Sequence, residues 1–276
     1  MALGGVAGGL GTGCQSNSAP GEVGASGERP SAVCTTGMVA DLVRALAGET
    51  LKVTQLMGEG VDPHLYKASP GDIRALSSAN LIVYSGLHLE GKMGDIFERM
   101  ARKIPVHALA EALPEDRLIL AGASQHDPHV WFDVSLWSAT IPALEGALAR
   151  FAPEHAASFA AAASSYREVL ATLHEECRST LATIPKERRV LVTAHDAFHY
   201  FGRAYDLEVK SIQGISTESE AGVRDINDLV AFIAEREIKA VFVESSVSDA
   251  NLKALLEGCR ARGHQVRIGG SLFSDA

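Results

Sequence analysis

Short β-like runs alternate with amphipathic helical stretches along most of the chain, and the alternation breaks once, over about fifty residues. Strands alternating with helices build βαβ units and parallel sheets, so this pattern restricts the fold more than any other feature. AVCTT (32–36), LKVTQLM (51–57), NLIVYSG (80–86) and IPVHAL (104–109) form a first set, separated by helical text such as MVADLVRALAG and PGDIRALSSA. RRVLVTA (188–194), LEVKSI (207–212), KAVFVES (239–245) and HQVRIGG (264–270) form a second.

Residues 134–184 contain no strand candidate and read as two helices, with Pro153 in the first turn of the second. In that second helix Phe159, Tyr166, Leu170, Leu173, Cys177, Leu181 and Ile184 recur at spacings of three, four and seven, which is one apolar face. About thirty residues at 1.5 Å each make a rod of roughly 45 Å, long enough to run along two lobes. The expected fold is α/β: two doubly wound parallel-sheet lobes, 31–133 and 188–276, joined by a helical spine over 134–187. The text stops at Ala276, just after a strand, so the second lobe is expected to be lean or truncated.

Composition narrows the function. Lys and Arg number 25 against 34 Asp and Glu, a formal charge of −9, and no basic stripe is visible. Such a chain is a poor partner for nucleic acid, whereas its negative field favours cations. The four cysteines stand apart at 14, 34, 177 and 259, which leaves neither a thiolate zinc site nor a thioredoxin-type motif. No apolar run reaches the ~18 residues of a membrane span. Residues 1–30 read as a signal remnant and flexible tether: a small apolar segment, then Cys14, then the polar stretch QSNSAPGEVGASGERPS. That order is similar to the end of a bacterial lipoprotein signal and makes Cys14 a lipid-anchor candidate. Leu10 lies one residue further from Cys14 than usual, and no positively charged segment precedes it.

In open parallel sheets ligands bind beyond the carboxyl ends of the strands. The residues that follow each strand here are rich in imidazoles and carboxylates. They include Asp62 and His64, then His88 and Glu90, then His126, Asp127, His129 and Asp133 in the first half. His195, Asp196 and His199, then Glu244 with Ser245 and Ser246, then Asp275 follow in the second. Two lobes presenting such groups suit a first-row metal ion held in the cleft between them. Asp-Pro-His occurs twice, at 62–64 and 127–129; Pro fixes its own φ and holds the preceding Asp extended, which lowers the entropy lost in presenting the His. His88 and His126 suit the cleft rim, His107 lies within a strand pattern, and His155, His174 and His264 read as solvated.

A rival reading uses His195 and His199 alone. On a helix, residues i and i+4 share a face, so HDAFH could bind zinc in the manner of the H-E-x-x-H hydrolases, with Asp196 in place of the Glu. Ser245 and Ser246 follow a strand, but no Gly-x-Ser-x-Gly elbow surrounds them. A third reading, a surface adhesin, has no sequence feature of its own.

Six motifs, GVDPHLY, SGLHLEGKM, DPHVWFDV, RRVLVTAHDAFHYF, FVESS and GGSLFSDA, occur in an order and at separations that resemble the TroA-like, cluster A-I metal receptors of bacterial ABC importers. The likeness runs from about residue 32 to the end. It implies two α/β lobes, one long linking helix, and one Zn²⁺ or Mn²⁺ ion between the lobes, delivered to a membrane permease by a monomeric, extracytoplasmic protein without enzymatic activity. Matched residue by residue, it implies His64, His129, His195 and Asp275 as ligands, and leaves His199 incidental. Three imidazoles and one carboxylate suit Zn²⁺. Asp62, Asp133, Asp196 and Glu244 are then candidates for orienting the imidazoles. Family members usually continue past the SDA motif, and zinc-specialised ones carry a His-rich loop where 110–126 has only His126.

Overall fold

The structure, a computed structural model, describes residues 29–122, 125–218 and 221–275. Cys14 lies outside the described residues. In the first lobe the strands are β1 (Ser31–Cys34), β2 (Lys52–Gln55), β3 (Leu81–Tyr84) and β4 (Val106–Ala108), in the order β2-β1-β3-β4 with every pairing parallel. Helices α1 (Gly37–Ala47), α2 (Pro70–Ser78) and α3 (Gly94–Ala101) connect them. Central strands β1 and β3 bury Ala32, Val33 and Cys34, and Leu81, Ile82 and Val83, as a sheet covered on both faces requires. One face packs against Leu42, Leu46 and Phe159, the other against Met57, Leu76 and Phe97. Helix α2 starts at a capping box, in which Ser69 Oγ accepts from Asp72 N and Asp72 Oδ2 accepts from Ser69 N.

The strand-free stretch forms α4 (Val134–Ser138), α5 (Ile141–Phe151) and α6 (Ala156–Ala182). Helix α6 packs on α1, α4 and α5 and reaches α7 (His199–Tyr205) of the second lobe. Its hydroxyl contacts mark both ends of that span: Tyr166 donates to Asp41 on α1, and His174 Nδ1 lies 3.2 Å from Tyr205 Oη on α7. The seam is not the expected one. Leu173 is 42% exposed and His174 occupies the inward position, because a step of 3.6 residues from buried Leu170 falls on 174. His174 is therefore not simply solvated, and neither is His264, whose Nε2 donates to Ile238 O at 2.7 Å. Arg189 closes the carbonyl end of α6, donating to Ala182 O and Ile184 O, and ties it to Asp206 of the second lobe.

The second lobe contains β5 (Val190–Thr193), β6 (Glu208–Ser211), β7 (Ala240–Glu244) and β8 (Arg267–Leu272), paired parallel as β5-β6 and β7-β8, with β5 beside β7. Helices α8 (Val223–Glu235) and α9 (Ala250–Ala261) bring Leu229, Val230, Ile233, Leu252 and Leu255 against Val192 and Val241. Gly202 on α7 has no room for a side chain: a Cβ there would sit 2.7 Å from Leu207 O, so the chain can fold back closely into β6. Among the described residues no helix is long and apolar enough to cross a membrane.

The seam along α6 yields a direct expectation. Phe159→Ala removes a fully buried ring and is expected to lower unfolding free energy by about 3–5 kcal/mol in urea denaturation. Leu173→Ala on the exposed side is expected to change it by no more than about 0.5 kcal/mol.

Candidate metal centre

Four side chains from four different strand ends converge between the lobes. His64 follows β2, His129 follows β4, His195 follows β5 and Asp275 follows β8. Their donor atoms all lie within 4.8 Å of one another. His64 Nε2 is 3.2 Å from His129 Nε2, His195 Nε2 is 3.4 Å from His129 Nε2, and Asp275 Oδ1 is 3.4 and 3.6 Å from His129 and His195 Nε2. An ion with tetrahedral bonds of 2.0–2.1 Å separates its ligand atoms by about 3.3 Å, so the spacing fits one small ion at the centre. His129, His195 and Asp275 are fully buried and His64 is 5% exposed.

His129, His195 and Asp275 are each aimed by a second residue, and the backbone of His64 is fixed by another. Asp-Pro-His is a turn in which the Asp carboxylate accepts the backbone N–H two residues on: Asp62 Oδ1 from His64 N at 2.9 Å, and Asp127 Oδ1 from His129 N at 3.0 Å. Asp127 Oδ1 also lies 2.7 Å from His129 Nδ1, which turns Nε2 toward the cluster. Glu244 does the same for His195, accepting from its backbone N at 2.7 Å and from Nδ1. Ser246 Oγ donates to Asp275 Oδ2 at 2.6 Å, and this leaves Oδ1, a buried oxygen with no hydrogen-bond partner, facing the imidazoles. Buried acceptors are normally satisfied, so this unpaired oxygen is itself a mark of a cation position.

The expected orienting residues divide. Glu244 contacts a clustered imidazole directly, and Asp62 fixes the backbone of His64 while its Oδ2 accepts from Thr217 Oγ1 of the second lobe at 2.6 Å. Asp133 instead caps α4, accepting from Ser135 N and Leu136 N, because it sits where that helix leaves four N–H groups open. Asp196 lies against His199 rather than against a clustered imidazole. Asp127 takes the place expected of them, and its signal was the repeated Asp-Pro-His itself. Ser246 was visible only as a residue after a strand, and its role is to hold a carboxylate. Glu90 is consumed by the first sheet, where it accepts from Thr35 Oγ1, Ser85 N and Gly86 N between the ends of β1 and β3. His88 and His126 line a cavity of about 560 Å³ between the lobes, beside His64. The helix reading of HDAFH is corrected: α7 begins at His199, so His195 lies in the preceding loop and the two do not share a helical face.

Burial and neighbouring charges push the clustered groups in different directions. Burial, with His129 beside it, brings the His64 pKa down to about 3. Burial opposes charge on His129 too, but the adjoining Asp127 carboxylate outweighs it and raises the pKa to about 10. Burial alone would raise the Asp275 carboxyl, yet the His129 and His195 imidazoles hold it well below the usual carboxylate range.

Two α/β lobes bridged by one long helix, with a buried three-imidazole, one-carboxylate donor set in the seam, define a bilobal metal-binding receptor. The sequence profile of the ZnuA family, described as "Zinc-uptake complex component A periplasmic", matches residues 32–276, and the chain belongs to that family. It is 48% identical over 267 residues to the "Manganese-binding lipoprotein MntA" of Bacillus subtilis (strain 168), covering 96% of this chain and 86% of the relative. It is 46% identical over 248 residues to the "Zinc-binding protein TroA" of Treponema pallidum (strain Nichols), covering 90% and 80%. The solved structure of the periplasmic zinc-binding protein TroA from Treponema pallidum superposes with a TM-score of 0.88 over 90% of each chain. That of Fe(III)-bound YtgA from Chlamydia trachomatis gives 0.82 at 26% identity, over 89% of this chain and 90% of the other.

In the metal-free protein, His129 is expected to keep its proton up to about pH 10 and His64 to stay neutral down to about pH 3. Imidazole NMR titration checks both. A raised folded pKa stabilises the fold fully below the unfolded value near 6.5 and loses that contribution as pH rises through the folded value. Metal-free stability is therefore expected to fall on the alkaline side toward pH 10.

Proposed function

We propose that this protein captures one divalent transition-metal ion between lobes 31–133 and 188–276, which are joined by the helical segment 134–187. It then delivers the ion to the membrane permease of an ABC importer. His64, His129, His195 and Asp275 are the ligands. The ion is cargo and no bond of a substrate is made or broken. The protein works outside the cytoplasm as a monomer, held to the membrane through Cys14; the relative named a lipoprotein supports such an anchor.

The observation that carries this reading is the single unpaired oxygen of Asp275 facing His129 and His195 within a closed, buried donor set drawn from both lobes. Three nitrogens and one carboxylate oxygen favour Zn²⁺, because Asp275 Oδ2 is already engaged by Ser246 and one oxygen remains for the metal. Mn²⁺ is the second reading, supported by the manganese-binding relative at 48% identity.

The test is titration with Zn²⁺ and with Mn²⁺ against chelators of known strength. One ion per chain is expected. His64→Ala and His195→Ala, which lie in different lobes, are each expected to weaken binding by more than the 10–100-fold typical of losing an orienting residue. Calorimetry in buffers of different ionisation enthalpy is expected to report release of about one proton per ion near neutral pH, the one leaving His129. Normal binding by His64→Ala or by His195→Ala would overturn the four-ligand site.

A further inference from the structure

Only one oxygen of the Asp127 carboxylate is accounted for by His129. The other, Oδ2, is fully buried and has no hydrogen-bond partner. It faces Nδ1 of His199 at 3.6 Å, and that nitrogen is also buried without a hydrogen-bond partner. The remaining nitrogen of the ring, Nε2, lies 3.2 Å from Asp196 Oδ1. The imidazole thus stands between two carboxylates, one from each lobe. With an acceptor at each nitrogen, only the doubly protonated ring can donate to both. Asp127 raises the affinity of His199 for its proton against the opposing effect of burial, and Asp196 adds to it. The neighbouring residue grips the same loop by its backbone: Tyr200 Oη donates to Asp127 O at 3.0 Å and accepts from Ile119 N at 3.0 Å. The start of α7 therefore holds Asp127 at its carbonyl and meets it at its carboxylate.

We propose that His199 is a positioning residue for the metal centre. From the second lobe, its imidazolium engages the free oxygen of Asp127, which keeps the other oxygen on His129 Nδ1 and the His129 ring on the ion. It is not a ligand. A movement of roughly 0.7 Å brings Nδ1 to ordinary hydrogen-bond distance of Oδ2. No other side chain offers a donor to that oxygen among the described residues. The proposal rests on the reading of His129 as a ligand, and it makes His199 neither incidental nor the partner of His195 in a helical zinc site.

The experiment measures Zn²⁺ affinity by chelator competition for His199→Ala, His199→Asn and His199→Gln, alone and with Asp127→Asn. Orienting residues in direct contact with a ligand typically contribute 10–100-fold, and His199 acts one contact further out. His199→Ala is therefore expected to weaken binding about 3–10-fold. Asn places its amide nitrogen near the position of Nδ1, and Gln places it near Nε2, so Asn is expected to recover most of the loss and Gln less. In the Asp127→Asn background, removing His199 is expected to cost less than about 2-fold, since the pair acts as a unit. A general packing role would give the same loss in both backgrounds and no preference for Asn. Unchanged affinity in His199→Ala, an undiminished loss beside Asp127→Asn, or Gln matching Asn would each overturn the proposal. If His199→Ala fails to fold, as judged by its metal-free thermal transition, the Asn–Gln comparison decides. His129→Ala run in parallel separates the two levels: normal binding there sinks the ligand reading itself.

Discussion

Two buried carboxylates govern the rest of the structure. Asp127 and Glu244 each take a backbone N–H and an imidazole Nδ1 of the same histidine, and both are almost wholly removed from solvent. A charge so placed is tolerated only when hydrogen bonds replace its lost water, and an imidazole so held has a single remaining direction for Nε2. The two lobes can be seen as frames for these pairs. Glu244 ends β7 beside β5, directly across from the loop that carries His195. Asp127 sits in a loop pinned by Tyr200. The corresponding position between β1 and β3 is filled by Glu90, which explains why the first lobe presents its donors from beyond β2 and β4 instead.

The contacts between lobes are of two kinds. On the α6–α7 side they are apolar and deep: Tyr200 of α7 is fully buried within the core cluster formed by the first lobe and the helical spine. Separating that side would expose a ring and leave two backbone groups unpaired. On the cavity side they are polar and near solvent. Thr217 meets Asp62 there, and the Lys92–Glu218 ion pair spans the lobes with both side chains about half exposed. Exposed ion pairs contribute little, so this edge is the weaker one. The ion must pass between solvent and the cluster, and the cavity beside His64 lies on the weaker edge. A deeply packed edge and a weaker polar edge favour a small rotation about the α6–α7 side.

Much of this was legible in the sequence, for identifiable reasons. The alternation of strands and helices and the strand-free spine depend on local periodicity, which a linear reading captures. Parallel topology brings strand ends to one edge, which placed the four converging donors within a wider set of imidazoles and carboxylates, and the resemblance to the TroA-like receptors singled them out. What was not legible depends on which side chain faces which. Asp133 and Asp127 are both acidic neighbours of His129 and look alike in the sequence. Only the start of α4 at Val134 makes one a helix cap and leaves the other to the imidazole. His195 and His199 have helical spacing, but the helix begins at the second of them. Leu173 and His174 exchange places because hydropathy favoured leucine and helical geometry favoured the histidine.

The charge balance of the cluster also bears on how an ion is taken up and released. Packing three imidazoles and three carboxylates into a buried seam would leave uncompensated negative charge if every histidine were neutral. Asp127 and Asp275 both favour a proton on His129, and such a proton would supply part of that compensation. An arriving ion takes over the same role at nearly the same point, so its net gain is the difference between its own attraction and that of the proton it displaces. Exchange of one cation for another within a fixed set of dipoles allows delivery without unfolding the site, and it makes the proton the competitor that the ion must outmatch.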